Sequence, residues 1–452
     1  MASRVLQHVP QEDQNANRTL AFLQEILRDY HPRNFAIELW DGTCWEPEPG
    51  QFRRSTWKIA RAGAVRCVFS NPSELAFAEA YIGGDFDVEG DIEGIFPVAD
   101  YFLNKNWSPK QKLRMGVLLS ELPHGGELRL VRRGARLSGR LHSKERDRQA
   151  ISYHYDVSND FYSLWLGKEM VYSCAYFQKP EDDLDTAQRQ KVDYICRKLR
   201  LKAGERLLDI GCGWGGLIMH AAREYGVNAV GITLSQQQFI LAQERIAKAD
   251  LAGRCQVKLM DYRDLTEPEA YDKIVSLGMV EHVGEVNLGE YFRRAFRSLR
   301  LGGVFLNHGV GAPQLRAEHN QPNFGDVYVF PDGEVPPVGA IARSAELAGF
   351  EVWDVENLRE HYALTLRHWV RGMEQNAEQS RRLVDEVTYR IWRLHMAQSA
   401  YFLQSGKLNL YQTLLVKSDK GKSGLPLTRE DWYTKTESLK QPPQQTDGEW
   451  TP

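Results

Sequence analysis

Apolar positions along this chain follow two different rhythms, and the change from one to the other divides it. From about residue 150 onward, short continuous apolar runs alternate with stretches whose apolar residues fall three and four apart. The runs at 206–210, 228–233, 255–260, 272–277 and 303–308 predict strands, and 187–199, 215–225, 236–249 and 288–299 predict helices. Such alternation calls for a parallel sheet covered on both faces, because each crossover lays a helix against the sheet. A proline-bearing stretch at 311–339 reads as a long loop of lid type. Helices at about 360–378 and 381–404 and a last strand at 410–417 follow it.

Earlier in the chain the pieces are shorter. A helix is expected over 18–30, strand-like segments at 35–39, 57–60 and 64–69, and helices at 75–81 and 92–104. Turn signals at Asp41-Gly42 and around Pro47, Pro49 and Gly50 separate the strands. These predict a small α+β domain with no chemical motif of its own. The organisation expected is a domain over 1–140, a second over 145–417, and an extended or disordered tail over 418–452, which is rich in Lys, Gln and Pro.

Composition changes this picture in three places. The chain has 452 residues and a formal net charge of -3, so no overall attraction to nucleic acid is implied. Cys44, Cys67, Cys174, Cys196, Cys212 and Cys255 show no paired spacing, which predicts reduced thiols of a cytoplasmic protein and no metal site. No run is long enough to span a bilayer, so any membrane contact is expected from the side. Against that near-neutral background, residues 105–148 carry twelve Lys and Arg and four acids. This strip is either a solvated linker or a surface for anionic headgroups.

The candidate chemistry gathers at strand ends. Leu207-Leu-Asp-Ile-Gly-Cys-Gly-Trp-Gly-Gly216 is a buried run ending in Asp209, followed by a glycine turn and a helix start. Gly211, Gly213 and Gly215 either let backbone approach a nucleotide-like ligand closely or only supply positive φ. The spacing departs from the dinucleotide fingerprint, and Thr233 and Ser235 stand where a nicotinamide enzyme places an acid. Ser235 serves equally as a helix cap. Asp261-Tyr262-Arg263-Asp264 follows the third strand, where an adenine would lie, or is a solvated turn. Glu281 and His308 fall just past two further strand ends, and the aromatic stretches 153–162 and 172–177 are either core or a lining that stabilises positive charge.

Taken together, Tyr153-x-Tyr-Asp-Val-Ser-Asn-Asp-Phe161, Tyr172-Ser-Cys-Ala-Tyr-Phe177, the glycine motif, Gly231-Ile-Thr-Leu-Ser235, Glu281-His-Val-Gly284 and His361-Tyr362 resemble the cyclopropane-fatty-acyl-phospholipid synthase family over about 145–417. The resemblance implies a class I methyltransferase, a Rossmann-like doubly wound α/β sheet, with a small N-terminal α+β domain for lipid binding and dimerisation. It implies S-adenosylmethionine as methyl donor, held by Tyr155, Ser173, Asp209, Gly211, Gly213, Thr233, Ser235 and Gln238, with Tyr262 and Arg263 at the adenine. It also implies bicarbonate among Cys174, Glu281, His308, Val310 and Tyr362, with Val310 contributing backbone where the family usually has isoleucine. The acceptor implied is a cis double bond of a membrane phospholipid, met at the inner face of the cell membrane by a homodimer.

Three other readings stay open: methyl transfer to lipid without ring closure, a methyltransferase for a small soluble acceptor, and a lipid-binding protein with a relic cofactor site.

Overall fold

The computed structural model describes residues 13–124, 134–313 and 323–433. Its contacts gather into two compact units, Met1–Trp165 with Leu315–Gly333 and Ala363–Leu408, and Leu166–Gln314 with Glu334–Tyr362 and Asn409–Pro452. This grouping differs from the linear division expected at 140–145. The helices over 363–408, expected within the second domain, pack with the first.

The first unit holds a four-stranded sheet of β1 (Phe35–Glu38), β2 (Cys44–Trp45), β3 (Ser55–Ile59) and β4 (Phe86–Gly90), in the order β2-β1-β3-β4. Phe22, Leu23 and Ile26 of helix Gln14–Ile26 pack on Phe35, Ile37 and Ile59. Segment 64–69, expected as a strand, is helix Ala64–Ser70. Its buried Ala64, Val65 and Val68 share one helical face, and that burial outweighs the β preference of valine. Helix Glu386–Gln404 joins this unit through Arg393, which donates to Tyr81 Oη at 3.0 Å and Val88 O at 3.2 Å and pairs with Glu374. Arg367 forms a two-pronged pair with Glu93. The aromatic stretch 153–162 is largely core here: Phe161 and Tyr162 are buried and pack on Trp165 and Trp392.

The basic strip is partly spent inside the same unit. Lys105 pairs with Asp29, Arg114 with Glu25 and Arg146 with Asp332. Arg129, Arg132 and Arg133 lie outside the described residues. Helix Pro109–Glu121 carries the remainder of its exposed charge at Lys110 and Lys112, beside exposed Leu113 and Val117.

The second unit is built on seven strands: β5 (Arg206–Ile210), β6 (Asn228–Thr233), β7 (Cys255–Leu259), β8 (Tyr271–Leu277), β9 (Leu299–Gly311), β10 (Glu351–Asn357) and β11 (Asn409–Val416). Their order is β10-β11-β9-β8-β5-β6-β7. The five strands from β5 to β9 run parallel, and β11 lies antiparallel between β9 and β10. The chain winds outward in opposite directions from β5 and β8, which opens a crevice at their C-terminal ends, where ligands bind in sheets of this type.

Two elements here were not expected. Helix Val338–Leu347 begins at the end of the supposed loop, of which residues 314–322 lie outside the described part. Strand β10 is an edge strand with Glu351, Asp354 and Glu356 among half-exposed residues, so it has no apolar run to mark it. The expected tail also begins later than 418. Trp432 of the short helix Glu430–Tyr433 is buried, Arg197 donates to its carbonyl, and Arg200 pairs with Asp431.

Candidate active site

The turn after β5 enters helix Gly216–Tyr225 through three glycines with positive φ: Gly211 at 85°, Gly213 at 54° and Gly215 at 79°. Conformation is what demands glycine here, since a Cβ on Gly213 would meet no protein atom within 4 Å. Collision is the constraint next door. A Cβ on Gly216 would sit 2.5 Å from Glu169 O, and one on Gly231 would sit 2.6 Å from Cys212 Cβ. The loop is thus an open cradle of backbone at a helix N-terminus.

Beside it, the end of β6 forms a closed set of hydrogen bonds. Thr233 Oγ1 donates to Gln238 Oε1 at 2.7 Å and accepts from Ser235 N at 3.2 Å. Ser235 Oγ caps helix Gln236–Lys248 by accepting from Gln238 N at 3.1 Å. Both readings of Ser235 are therefore compatible, because the cap is what places the cluster. After β7, Arg263 folds back onto Asp261 with its guanidinium at 2.6 to 2.8 Å, and Tyr262 is buried edge-on against Tyr291. The ring expected at the adenine thus faces the core beneath the sheet. Tyr155 ends helix Lys144–Tyr155 in the other unit, its ring edge-on to His154.

Of the residues expected around an anion, contacts bring Cys174, Val310, Tyr362 and Glu281 together. Cys174, Val310 and Tyr362 meet in one small apolar cluster with Leu358 and Leu410. Glu281, in the short helix after β8, accepts from Val310 N at 2.6 Å through Oε1, while Oε2 is buried with no hydrogen-bond partner. Burial pushes this carboxyl up to about 7, and the Val310 N–H holds it from going higher. His308 on β9 is buried, its Nδ1 3.1 Å from Gln412 Nε2 and its Nε2 without a partner. Burial, with the charges of Lys191 and Lys198, pushes its pKa down to about 3, so the ring is neutral. Cys174 is fully buried, and its thiol donates to Ala175 O, as a wall residue does.

Two residues at the site carried no signal in the chain. Lys191 is fully buried and donates to Ser173 Oγ at 2.9 Å. Burial drives its ammonium pKa down, and the charge of nearby Asp209 opposes that. Asp209 is raised by burial and has an unpartnered Oδ1. A lysine on an amphipathic helix reads as solvent-facing, so only the fold reveals this one. Gly309 is the second: a Cβ there would run into Val280 and lie 3.4 Å from the Glu281 carboxylate.

Known proteins share this arrangement of sequence and fold. Residues 142–413 match the family model described as mycolic acid cyclopropane synthetase. A probable fatty acid methyltransferase of Pseudomonas putida is 40% identical over 423 residues, which is 92% of this chain and 100% of the relative. The cyclopropane-fatty-acyl-phospholipid synthase of Escherichia coli K12 is 43% identical over 330 residues, covering 72% of this chain and 82% of its own. The solved structure of the mycolic acid cyclopropane synthase CmaA1 complexed with SAH and CTAB is 32% identical, with a TM-score of 0.56 over 59% of this chain and 97% of that one. That of the cyclopropane synthase MmaA2 from Mycobacterium tuberculosis is 30% identical, again with a TM-score of 0.56. With its class I methyltransferase sheet and a match across most of its length, this chain belongs to the cyclopropane synthase and fatty acid methyltransferase family of S-adenosylmethionine-dependent lipid methyltransferases.

Proposed function

We propose that this protein methylates a cis double bond in a phospholipid acyl chain and then closes a cyclopropane ring by removing a proton from the added methyl. The observation that carries the ring-closing half is a pair of buried atoms without partners, Glu281 Oε2 and His308 Nε2, in the same strand-end region as the Cys174, Val310 and Tyr362 cluster. A buried acceptor and a buried donor left unsatisfied are costly, which favours a site made for a small ligand with both kinds of group. Bicarbonate has that composition, and when bound it supplies a base in an otherwise apolar pocket.

The chain's own residues have separable tasks. S-adenosylmethionine, when bound, supplies an electrophilic methyl, and the open cradle at Gly211 and Gly213 fits it. Asp209, Ser173, Thr233 and Gln238 would hold it, and Lys191 orients the Ser173 hydroxyl. Methyl addition leaves positive charge on the acyl chain, and the partly buried Tyr362 beside Cys174 would offer a ring to it, whereas Tyr176 is stacked on Tyr194 and His361. The apolar cluster around Cys174 keeps water from capturing that charge as an alcohol. Glu281 offers its free oxygen as acceptor, while His308 and Tyr362 act as donors.

The lipid surface is expected to be met through helix Pro109–Glu121, where exposed Leu113 and Val117 lie beside Lys110 and Lys112. No helix among the described residues is long and apolar enough to cross a membrane. Dimerisation through the first unit belongs to the same proposal.

The test is a product assay with S-adenosylmethionine and vesicles of a cis-unsaturated phospholipid, with bicarbonate present or stripped out. Mass spectrometry of the fatty acid esters is expected to find a cyclopropane that falls with bicarbonate. A second reading, methyl transfer without ring closure, is favoured by the probable fatty acid methyltransferase matched across 92% of this chain. A methyl-branched or methylene ester in the same assay would select it, and no modified lipid would point to a soluble acceptor.

A further inference from the structure

Three neighbouring strands place Glu356, Gln412 and His308 in one row. Glu356 of β10 lies directly opposite Gln412 of β11, and Gln412 lies directly opposite His308 of β9. Cross-strand partners point to the same face of a sheet, so the three side chains line up. Lys198, from helix Leu184–Leu199, reaches this row from that face. Its Nζ donates to Glu356 Oε2 at 2.6 Å and to Gln412 Oε1 at 2.9 Å. Lys198 is itself fully buried, and Tyr194 Oη donates to the same Glu356 carboxylate at 3.1 Å.

The donor and acceptor inventory permits one arrangement. An ammonium only donates, so the Gln412 oxygen must face Lys198. The Gln412 amide nitrogen then faces His308 Nδ1 at 3.1 Å. An amide NH2 also only donates, so Nδ1 must be bare and accept. The ring proton of a neutral His308 therefore sits on Nε2, the nitrogen left without a partner.

We propose that Lys198 and Gln412 are positioning residues that lock His308 as an Nε2–H donor, so that it never serves as the base. Beside Val310, the buried oxygen free to accept a proton is then Glu281 Oε2. The tautomer follows from geometry alone; its service to an anion rests on the function proposed above.

The tautomer is measured directly on the full chain labelled with 15N-histidine, by two-bond 15N–1H correlation, with the His308 signals assigned by their loss in His308→Asn. The expected pattern at pH 7 is an unprotonated Nδ1 and a protonated Nε2, retained at pH 5. A protonated Nδ1, or an imidazolium at pH 5, overturns the proposal. This readout needs no variant of the relay to fold and no turnover.

Gln412→Glu then tests the cause. A carboxylate accepts, so it draws the proton onto Nδ1 and turns a bare Nε2 toward the site. The expected result is the inverted pattern, a protonated Nδ1 and a bare Nε2, with about a tenfold or greater rise in the bicarbonate concentration for half-maximal rate, the worth of one hydrogen bond to a charged group. Binding of S-adenosylhomocysteine by calorimetry is expected to stay within twofold. An unchanged His308 pattern in Gln412→Glu removes the relay. If the native pattern is as expected but native activity ignores bicarbonate, the tautomer stands and the ring-closing base site of the proposed function fails.

Discussion

Glu281 sits with one carboxylate oxygen on the Val310 N–H at 2.6 Å and the other buried without a partner, its pKa pushed up to about 7 from an ordinary 4.5. Between those two values the unfolded chain has released a proton that the folded chain keeps, so this group lowers stability progressively as pH rises from 4.5 to 7. Glu281→Gln keeps the Val310 contact and removes that loss. Thermal melts in bicarbonate-free buffer are expected to show the variant gaining on the native protein between pH 5 and pH 8, by about 2 kcal/mol, while ring formation falls severely and cofactor binding stays near normal. A fully active variant would remove Glu281 from the chemistry. His308 has the opposite sign. Its pKa is lowered from 6.5 to about 3, so its contribution is complete above 6.5 and is lost as pH falls toward 3. In His308→Gln the loss of stability between pH 6.5 and 4 is expected to be shallower in the same melts.

Strand β9 and the short helix Val280–Val283 meet closely enough that Gly309 cannot carry a side chain without striking Val280 and crowding Glu281. Gly309→Ala is expected to destabilise the protein by about 1–3 kcal/mol, the usual cost of overpacking, and to lower ring formation at least tenfold by displacing the carboxylate. Melting curves and product analysis check the two effects separately; unchanged activity would mean that the helix shifts without consequence. Strands of this sheet differ in how readable they are. β5 and β6 coincide with their apolar runs, because a central parallel strand is buried on both faces and is therefore mostly apolar. β10 reads as polar chain because an edge strand satisfies neither condition. β9 extends from Leu299 to Gly311, beyond the expected 303–308, because pairing with β11 and β8 prolongs it through residues with no β preference.

Across the chain as a whole, the charge strip divides into residues already paired within their own unit and those that remain exposed. Lys105, Arg114 and Arg146 have internal carboxylate partners, whereas Lys110 and Lys112 are exposed beside Leu113 and Val117. Replacing Lys110 and Lys112 by Gln and Leu113 and Val117 by Ser is expected to weaken binding to anionic vesicles by about thirtyfold or more at low salt, since each basic residue near the surface contributes about 1 kcal/mol. Sedimentation with the vesicles measures it, and unchanged binding would return this helix to the role of linker. Neutralising Arg132, Arg133 and Arg136 in the same assay asks whether the rest of the strip takes part.

The alternating β–α order, the glycine turn after β5 and the strand-end position of Glu281 can all be read from the linear chain, because each depends on local backbone preference and local burial; His308, expected just past a strand end, lies within β9, which its pairing with β11 carries on to Gly311. The family resemblance rests on the same contiguous motifs. What those motifs could not contain is the set of contacts between residues far apart in the chain. Helices over 363–408 group with the N-terminal sheet through Arg367 and Arg393, whose carboxylate and carbonyl partners leave no local trace. Lys191 and Lys198 look like the polar side of an ordinary helix until the sheet buries them. The row Glu356–Gln412–His308 exists only because β11 inserts between β10 and β9 in one register; a shift of one residue would turn Gln412 to the opposite face and leave His308 Nδ1 without its donor.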